Sequence, residues 1–221
     1  MKVAVLMFHH DPAAAYVRLN RALNAKYCET FCLDFIFAHK RTYLERHPAW
    51  ERLPLILHHL ANYDYVVWID SDAFFYHDRD VKEFIADNSE HDFIFSKDIR
   101  NRGLNTGVMV VKNTPYAVDF IKRWAYDEEL YRNNPRPKFW DQGVLLGMYD
   151  KNLLDIRTNS LVVDYLVLQH FLSSELGSLT DDKKKPFIYH LAGKPPPIRV
   201  AESKKYFDNV FFEIRVSFSD E

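Results

Sequence analysis

Tyr65-Val66-Val67-Trp68-Ile69-Asp70-Ser71-Asp72-Ala73-Phe74-Phe75 is the stretch that decides how this chain folds. Five apolar residues in succession, β-branched and aromatic, read as a strand buried on both faces, as in the interior of a parallel sheet. The run ends on two acids. In an extended chain residues i and i+2 point the same way, so Asp70 and Asp72 present their carboxylates side by side just past the carboxyl end of the strand. Open α/β sheets bind ligands at that edge. Two hard oxygen donors there suit Mg²⁺ or Mn²⁺, with the phosphate oxygens of a ligand filling other positions.

Asp-x-Asp is a common tripeptide, and the chain carries its own control in Asp78-Arg79-Asp80. That second pair precedes Val81-Lys82-Glu83-Phe84 and reads as a helix start, with acids near the positive end of the dipole. The first pair differs because a buried strand delivers both charges to its end, where they need a cation.

Working outward, the opening apolar run 1–8 is a first strand, too short for a signal-peptide core. Asp11-Pro12 then offers an N-cap and a proline at the first helical position, with a helical pattern over 13–25. Residues 31–38 read as a second buried strand. Leu53, Ile56, Leu57 and Leu60 share one face of a helix that feeds the Asp70 strand. Further strands follow at 92–96 and 107–111, then a helix from Thr114-Pro115 to Tyr126, a breaker at 133–137, a helix over 139–148, and apolar elements at 161–168 and 187–189. A charged loop is expected at 181–185. Alternating β and α elements predict an α/β three-layer sandwich with a mostly parallel central sheet.

The 221 residues, 48% apolar, fit one domain, 1–221, with a large core. A formal charge of −2 leaves no basic stripe for nucleic acid. The longest apolar runs fall short of the ~20 residues of a transmembrane helix. Cys28 and Cys32, with no further cysteine, read as buried or half-buried free thiols, and a cytoplasmic location is the expectation. Gly-x-Gly-x-x-Gly and the phosphate loop ending in Gly-Lys-Ser/Thr are absent, which argues against dinucleotide oxidoreductases and ATPases of those types.

Four segments, in order, resemble one enzyme family: Trp50-Glu51-Arg52-Leu53-Pro54-Leu55-Ile56, Trp68-Ile69-Asp70-Ser71-Asp72-Ala73, Leu104-Asn105-Thr106-Gly107-Val108 with Lys112-Asn113, and His190-Leu191-Ala192-Gly193-Lys194-Pro195. Asp141-Gln142 stands where that family has its Asp-Gln step. The chain resembles metal-dependent nucleotide-sugar glycosyltransferases of the GT-A fold, similar to fungal galactosyl- and plant xyloglucan xylosyltransferases, and more distantly to glycogenin and bacterial lipooligosaccharide galactosyltransferases. The resemblance implies transfer of a hexose or pentose from a UDP-sugar donor to a glycan hydroxyl, with retained anomeric configuration.

It also implies roles residue by residue. Asp70, Asp72 and His190 would hold Mn²⁺, the imidazole favouring it over Mg²⁺. Gly193 would let the backbone approach the diphosphate and Lys194 would neutralise it. Arg52 would reach the donor sugar and phosphates, Asn105 and Asp98 would bind sugar hydroxyls, and Asp141 and Gln142 would lie beneath the anomeric carbon. Asp11 is open to two readings, a bond to the uracil N–H or a helix cap. Gly143 departs from the family, whose bacterial members carry a second acid there. Two other readings stay open: a nucleotide-sugar binding protein without turnover, and an Asp-x-Asp phosphohydrolase with Asp70 as nucleophile.

Overall fold

The computed structural model describes residues 1–76, 78–98, 103–171 and 185–217, with side chains in the last helix as far as 209. In chain order the elements are β1 (Val3–Phe8), α1 (Ala15–Thr30), β2 (Asp34–Ala38), α2 (Arg52–Leu60), β3 (Tyr65–Ile69), β4 (Ala73–Phe75), α3 (Val81–Asp87), β5 (Phe93–Lys97), β6 (Leu104–Lys112), α4 (Pro115–Tyr126), α5 (Glu128–Arg132), α6 (Trp140–Asp150), β7 (Ser160–Val163), α7 (Tyr165–Leu168), β8 (Gln169–His170), β9 (Ile188–His190) and α8 (Pro196–Ser217).

The main sheet runs β2-β1-β3-β6-β5-β7. Its β2–β1, β1–β3 and β5–β7 pairs are parallel, whereas β6 runs antiparallel to both neighbours, so the sheet is mixed. Its two faces bury separate cores. Leu53, Ile56 and Leu60 of α2 and Phe120, Ile121 and Trp124 of α4 cover one face. Tyr16, Val17, Tyr27 and Cys28 of α1 and Val81 and Ile85 of α3 cover the other. Sheet and two helical layers make the expected α/β sandwich. Beyond β1 the chain turns to one side of the sheet and beyond β3 to the other, so the loops after these two strands flank the crevice where such sheets bind ligands.

Capping chemistry behaves as read at two helix starts. Asp80 accepts from the Lys82 N–H at 2.9 Å and Thr114 from the Ala117 N–H at 3.1 Å. At α1 the expectation fails: the helix begins at Ala15, and Asp11 instead accepts from the Ala13 N–H, an Asx turn ahead of it. Residues 31–38 do not form a buried strand either. Residues 31–33 close α1, and β2 is a half-buried edge strand with one neighbour. The apolar run 161–168 splits into β7 and a single turn, α7, because Asp164 turns the chain. Of the expected loop at 181–185, all but Lys185 lies outside the described residues.

A small second sheet, β4-β9-β8, was not legible in the sequence. β4 leaves the acid pair after a tight turn in which the Ala73 N–H reaches the Asp70 carbonyl at 2.9 Å. It pairs antiparallel with β9 in the register Ala73↔His190, and the Leu191 N–H closes on the Asp72 carbonyl at 2.8 Å. Backbone pairing therefore sets His190 beside Asp72.

Candidate functional site

A ligand atom from each of Asp70, Asp72 and His190 lies within 4.8 Å of the other two. Asp72 and His190 are buried and Asp70 is half-buried. Each donor is held by other groups. Asp70 Oδ1 accepts from Trp68 Nε1 at 2.8 Å, the i−2 neighbour on the same face of the strand, and sits 3.2 Å from Arg52 Nη2. Asp72 Oδ1 is 3.3 Å from His190 Nε2, and its Oδ2 is 2.8 Å from Arg199 Nη2 of α8. Burial works against the Asp72 charge, but His190 and then Arg199 outweigh it and hold the carboxyl down at about 2.

His190 Nδ1 lies 2.8 Å from Gln169 Oε1, while Gln169 Nε2 donates to Asn105 Oδ1 at 3.2 Å. An amide oxygen only accepts, so Nδ1 carries a proton and Nε2 is the ring nitrogen that faces the carboxylates, the one a metal ion would bind. The backbone of β6 presses on the same spot. A Cβ on Gly107 would stand 2.1 Å from His190 Cε1 and 3.0 Å from Asp70 Oδ2, so only glycine lets the ring sit there. Two carboxylates and an oriented imidazole, crowded into one corner with their outer atoms tied, are a donor set that fits Mn²⁺ or Mg²⁺, the nitrogen favouring Mn²⁺.

Arg52 is not an exposed helix arginine. It is buried, donates from Nε to the Ala49 carbonyl at 3.1 Å and from Nη1 to the Thr106 carbonyl, and touches Asp70. Its Nε also lies 3.1 Å from Asp141 Oδ2. Because the Nε–H is spent on Ala49, that contact is a charge contact, and Asp141 Oδ2 is left without a hydrogen bond. Asp141 is 1% exposed, and the Arg52 guanidinium stands between it and Asp70. Burial, with Asp70 adding to it and Arg52 opposing, pushes its carboxyl up to about 7. Gln142 is half-buried, its Oε1 taken by the Thr106 N–H at 3.2 Å and hydroxyl at 3.3 Å.

Asn105 Oδ1 also accepts from the Gly107 N–H at 2.9 Å, so this side chain braces the imidazole network. Asp98 is buried, with its N–H on the Gly103 carbonyl at 2.8 Å. Gly193 has φ +70 and open space where a Cβ would go, so its requirement is conformational. Lys194 is half-buried in the turn after β9. Near the other flank of the crevice, His9 Nε2 meets the Tyr16 hydroxyl at 3.0 Å, and Arg199 reaches that hydroxyl at 3.4 Å. Gly143 has a steric cause: a Cβ there would lie 2.2 Å from the Arg136 carbonyl oxygen, so the loop before α6 excludes any side chain.

Sequence reasoning missed Gln169 and Arg199. Neither stands in a motif; each reaches the acids only through pairing of β8 with β9 and packing of α8 on α1.

The fold is an α/β sandwich of the kind found in solved glycosyltransferases. A glycosyltransferase involved in the glycosylation of the major capsid of PBCV-1 has this fold, with a TM-score of 0.75 at 17% identity, over 93% of this chain and 100% of that one. So does the galactosyltransferase LgtC, solved with donor and acceptor sugar analogs, at 0.54 and 13%, over 93% and 95% of the two chains. The glycosyltransferase GlyE of Streptococcus pneumoniae TIGR4 matches at 0.55 and 14%, over 96% of this chain and 64% of its own. Residues 24–136 match the family described as "Protein of unknown function, DUF273", and the chain belongs to that family. No curated protein matches it. Among the described residues no helix is long and apolar enough to cross a membrane.

Proposed function

We propose that this protein is a glycosyltransferase that moves a sugar from a UDP-sugar to a hydroxyl of a glycan acceptor, with a divalent cation, Mn²⁺ by its donor set, held by Asp70, Asp72 and His190. The observation that carries the reading is the convergence of those three side chains at the end of β3, with His190 Nε2 turned to the carboxylates. The shared fold of solved glycosyltransferases supports it. Bound there, the cation would supply Lewis-acid stabilisation of the departing diphosphate.

The chain's own groups divide the remaining work. Lys194, whose ammonium has no ion-pair partner among the described residues, neutralises the diphosphate from the turn after His190. Arg52 orients Asp70 and is itself held by Asp141, which makes Asp141 a positioning residue. Gln142, its oxygen anchored on Thr106, turns its amide N–H groups to the donor sugar. Asn105 and Asp98 complete the sugar pocket, Asp11 lies on the uracil side, and Gly193 gives the diphosphate loop its turn.

Retention of configuration is part of the proposal. With Asp141 buried against Arg52 and glycine at 143, neither position offers a carboxylate nucleophile to the anomeric carbon. That supports attack from the face the diphosphate leaves, the acceptor proton passing to a departing phosphate oxygen. A phosphohydrolase is not favoured, since Asp70 Oδ1 is occupied by Trp68 and Arg52.

Calorimetry with UDP and Mn²⁺ tests the site. Asp70→Asn and Asp72→Asn are expected to abolish metal-dependent UDP binding. Asp78→Asn and Asp80→Asn are expected to keep it, since asparagine preserves the α3 cap. Equal behaviour of the two pairs would defeat the assignment. Proton NMR of the first-formed product with a UDP-hexose panel reads the anomeric outcome.

A further inference from the structure

Trp140 opens α6 beside Asp141, and both its backbone and its ring are unusual. Its φ of 49° with ψ −121° suits glycine, and for a bulky side chain this conformation is strained. Asn134 Nδ2 secures it by donating to the Trp140 carbonyl at 2.8 Å. The other three tryptophans, Trp50, Trp68 and Trp124, are 2%, 3% and 1% exposed; Trp140 is 44% exposed. Strain and exposure together are not explained by core packing, which Trp140 does not join.

The His47 ring stacks on the indole at 3.7 Å and 6°. His47 Nδ1 accepts from the Ala49 N–H at 3.2 Å, which fixes the ring just ahead of Arg52. Burial lowers its pKa, and the charges of Arg41, Arg52 and His10, the last in the loop after β1, lower it further. One indole face is thus backed by a flat partner, at the rim of the crevice, next to the Asp141–Arg52–Asp70 line.

We propose that the Trp140 indole, backed by His47, is the platform on which the acceptor sugar ring lies. The inference rests on the glycosyl-transfer reading and names the acceptor-binding surface of that site. A pyranose with axial hydrogens on one face offers an apolar plane that matches an indole, while its hydroxyls stay solvated at the rim. The His47 stack keeps the indole from rotating away, so little order is lost on binding.

Saturation-transfer NMR on the full chain tests this with methyl β-D-glucopyranoside and methyl β-D-galactopyranoside as probes, alongside calorimetry with UDP and Mn²⁺. At least one glycoside is expected to bind the wild type. Trp140→Ala should weaken it by about tenfold or more, and Trp140→Phe, which keeps a flat ring, by about threefold or less. UDP–Mn²⁺ affinity should stay within about twofold in both variants. Trp140→Gly should relax the backbone, melt no lower than wild type, and still lose the sugar. Unchanged glycoside binding in Trp140→Ala overturns the platform, as does a wild type that binds UDP with Mn²⁺ but neither glycoside. Loss of UDP binding in Trp140→Ala overturns it by assigning the indole to the nucleobase. A wild type that binds neither UDP nor glycoside removes the glycosyltransferase reading itself, and the platform with it.

Discussion

Arg199 Nη2 of α8 lies 2.8 Å from Asp72 Oδ2, so the C-terminal helix is ion-paired to the turn that carries the acids. In the metal-free protein this guanidinium is the counter-charge of a buried carboxylate. Arg199→Ala is expected to lower metal-free stability by about 2–3 kcal/mol, because it leaves Asp72 buried and less compensated. Saturating Mn²⁺ should recover more stability in the variant than in wild type, since the ion replaces the missing charge. Urea unfolding with and without Mn²⁺ measures both, and equal recovery would exclude Asp72 as a ligand.

Gly107 is tested by adding a single methyl group. With a Cβ 2.1 Å from His190 Cε1, the ring must leave its place. Gly107→Ala should cost about 1–3 kcal/mol of stability. It should also weaken Mn²⁺ binding by about tenfold or more, read by electron paramagnetic resonance of the free ion. Wild-type Mn²⁺ affinity in this variant would show that His190 is not a ligand from its present position.

Asp141 makes stability depend on pH with a defined sign. Its folded-state carboxyl is raised from the ordinary 3.8 to about 7 by burial. The folded protein therefore holds this proton more tightly than the unfolded chain, and the resulting stability is present below about pH 4 and lost as pH rises to about 7. Asp141→Asn, which stays neutral, should match wild type near pH 4 and exceed it above pH 7 by on the order of a few kcal/mol. Denaturant unfolding of the metal-free protein at the two ends of that window decides it. A less stable asparagine variant at high pH would mean that Arg52 keeps Asp141 ionised.

Cys28 and Cys32 should separate cleanly in reactivity. Cys28 is buried on α1, and burial pushes its thiol up to about 12, with Asp34 adding to the rise. Cys32 is exposed, contrary to the expectation of two at least partly buried thiols. It occupies the left-handed position of the turn that ends α1, at φ 53°, with the Leu33 N–H closing on the Cys28 carbonyl at 2.8 Å. Ellman's reagent should titrate one thiol in the native protein and two after unfolding. Cys32→Gly should abolish the native signal and raise stability by about 1 kcal/mol, because glycine adopts that φ freely. A second fast thiol would place Cys28 at the surface.

The sequence by itself determined what depends on neighbours along the chain. The apolar run of β3 and the acids two apart at its end, the caps at Asp80 and Thr114, and the α/β alternation follow from side-chain periodicity and local hydrogen bonds, which the order of residues encodes directly. His190 was placed beside the acids by a family resemblance, not by any local signal. Tertiary structure alone decided the rest. The register Ala73↔His190, the Gln169 amide that sets the imidazole tautomer, and the Arg199 pair each join segments far apart in the chain. So does the burial of Asp141 behind Arg52. Such contacts form only when two surfaces meet at one depth and one offset, and a strand shifted by one residue would turn its side chain to the other face. No single stretch of the chain carries that offset, which is why the acids were legible and their surroundings were not.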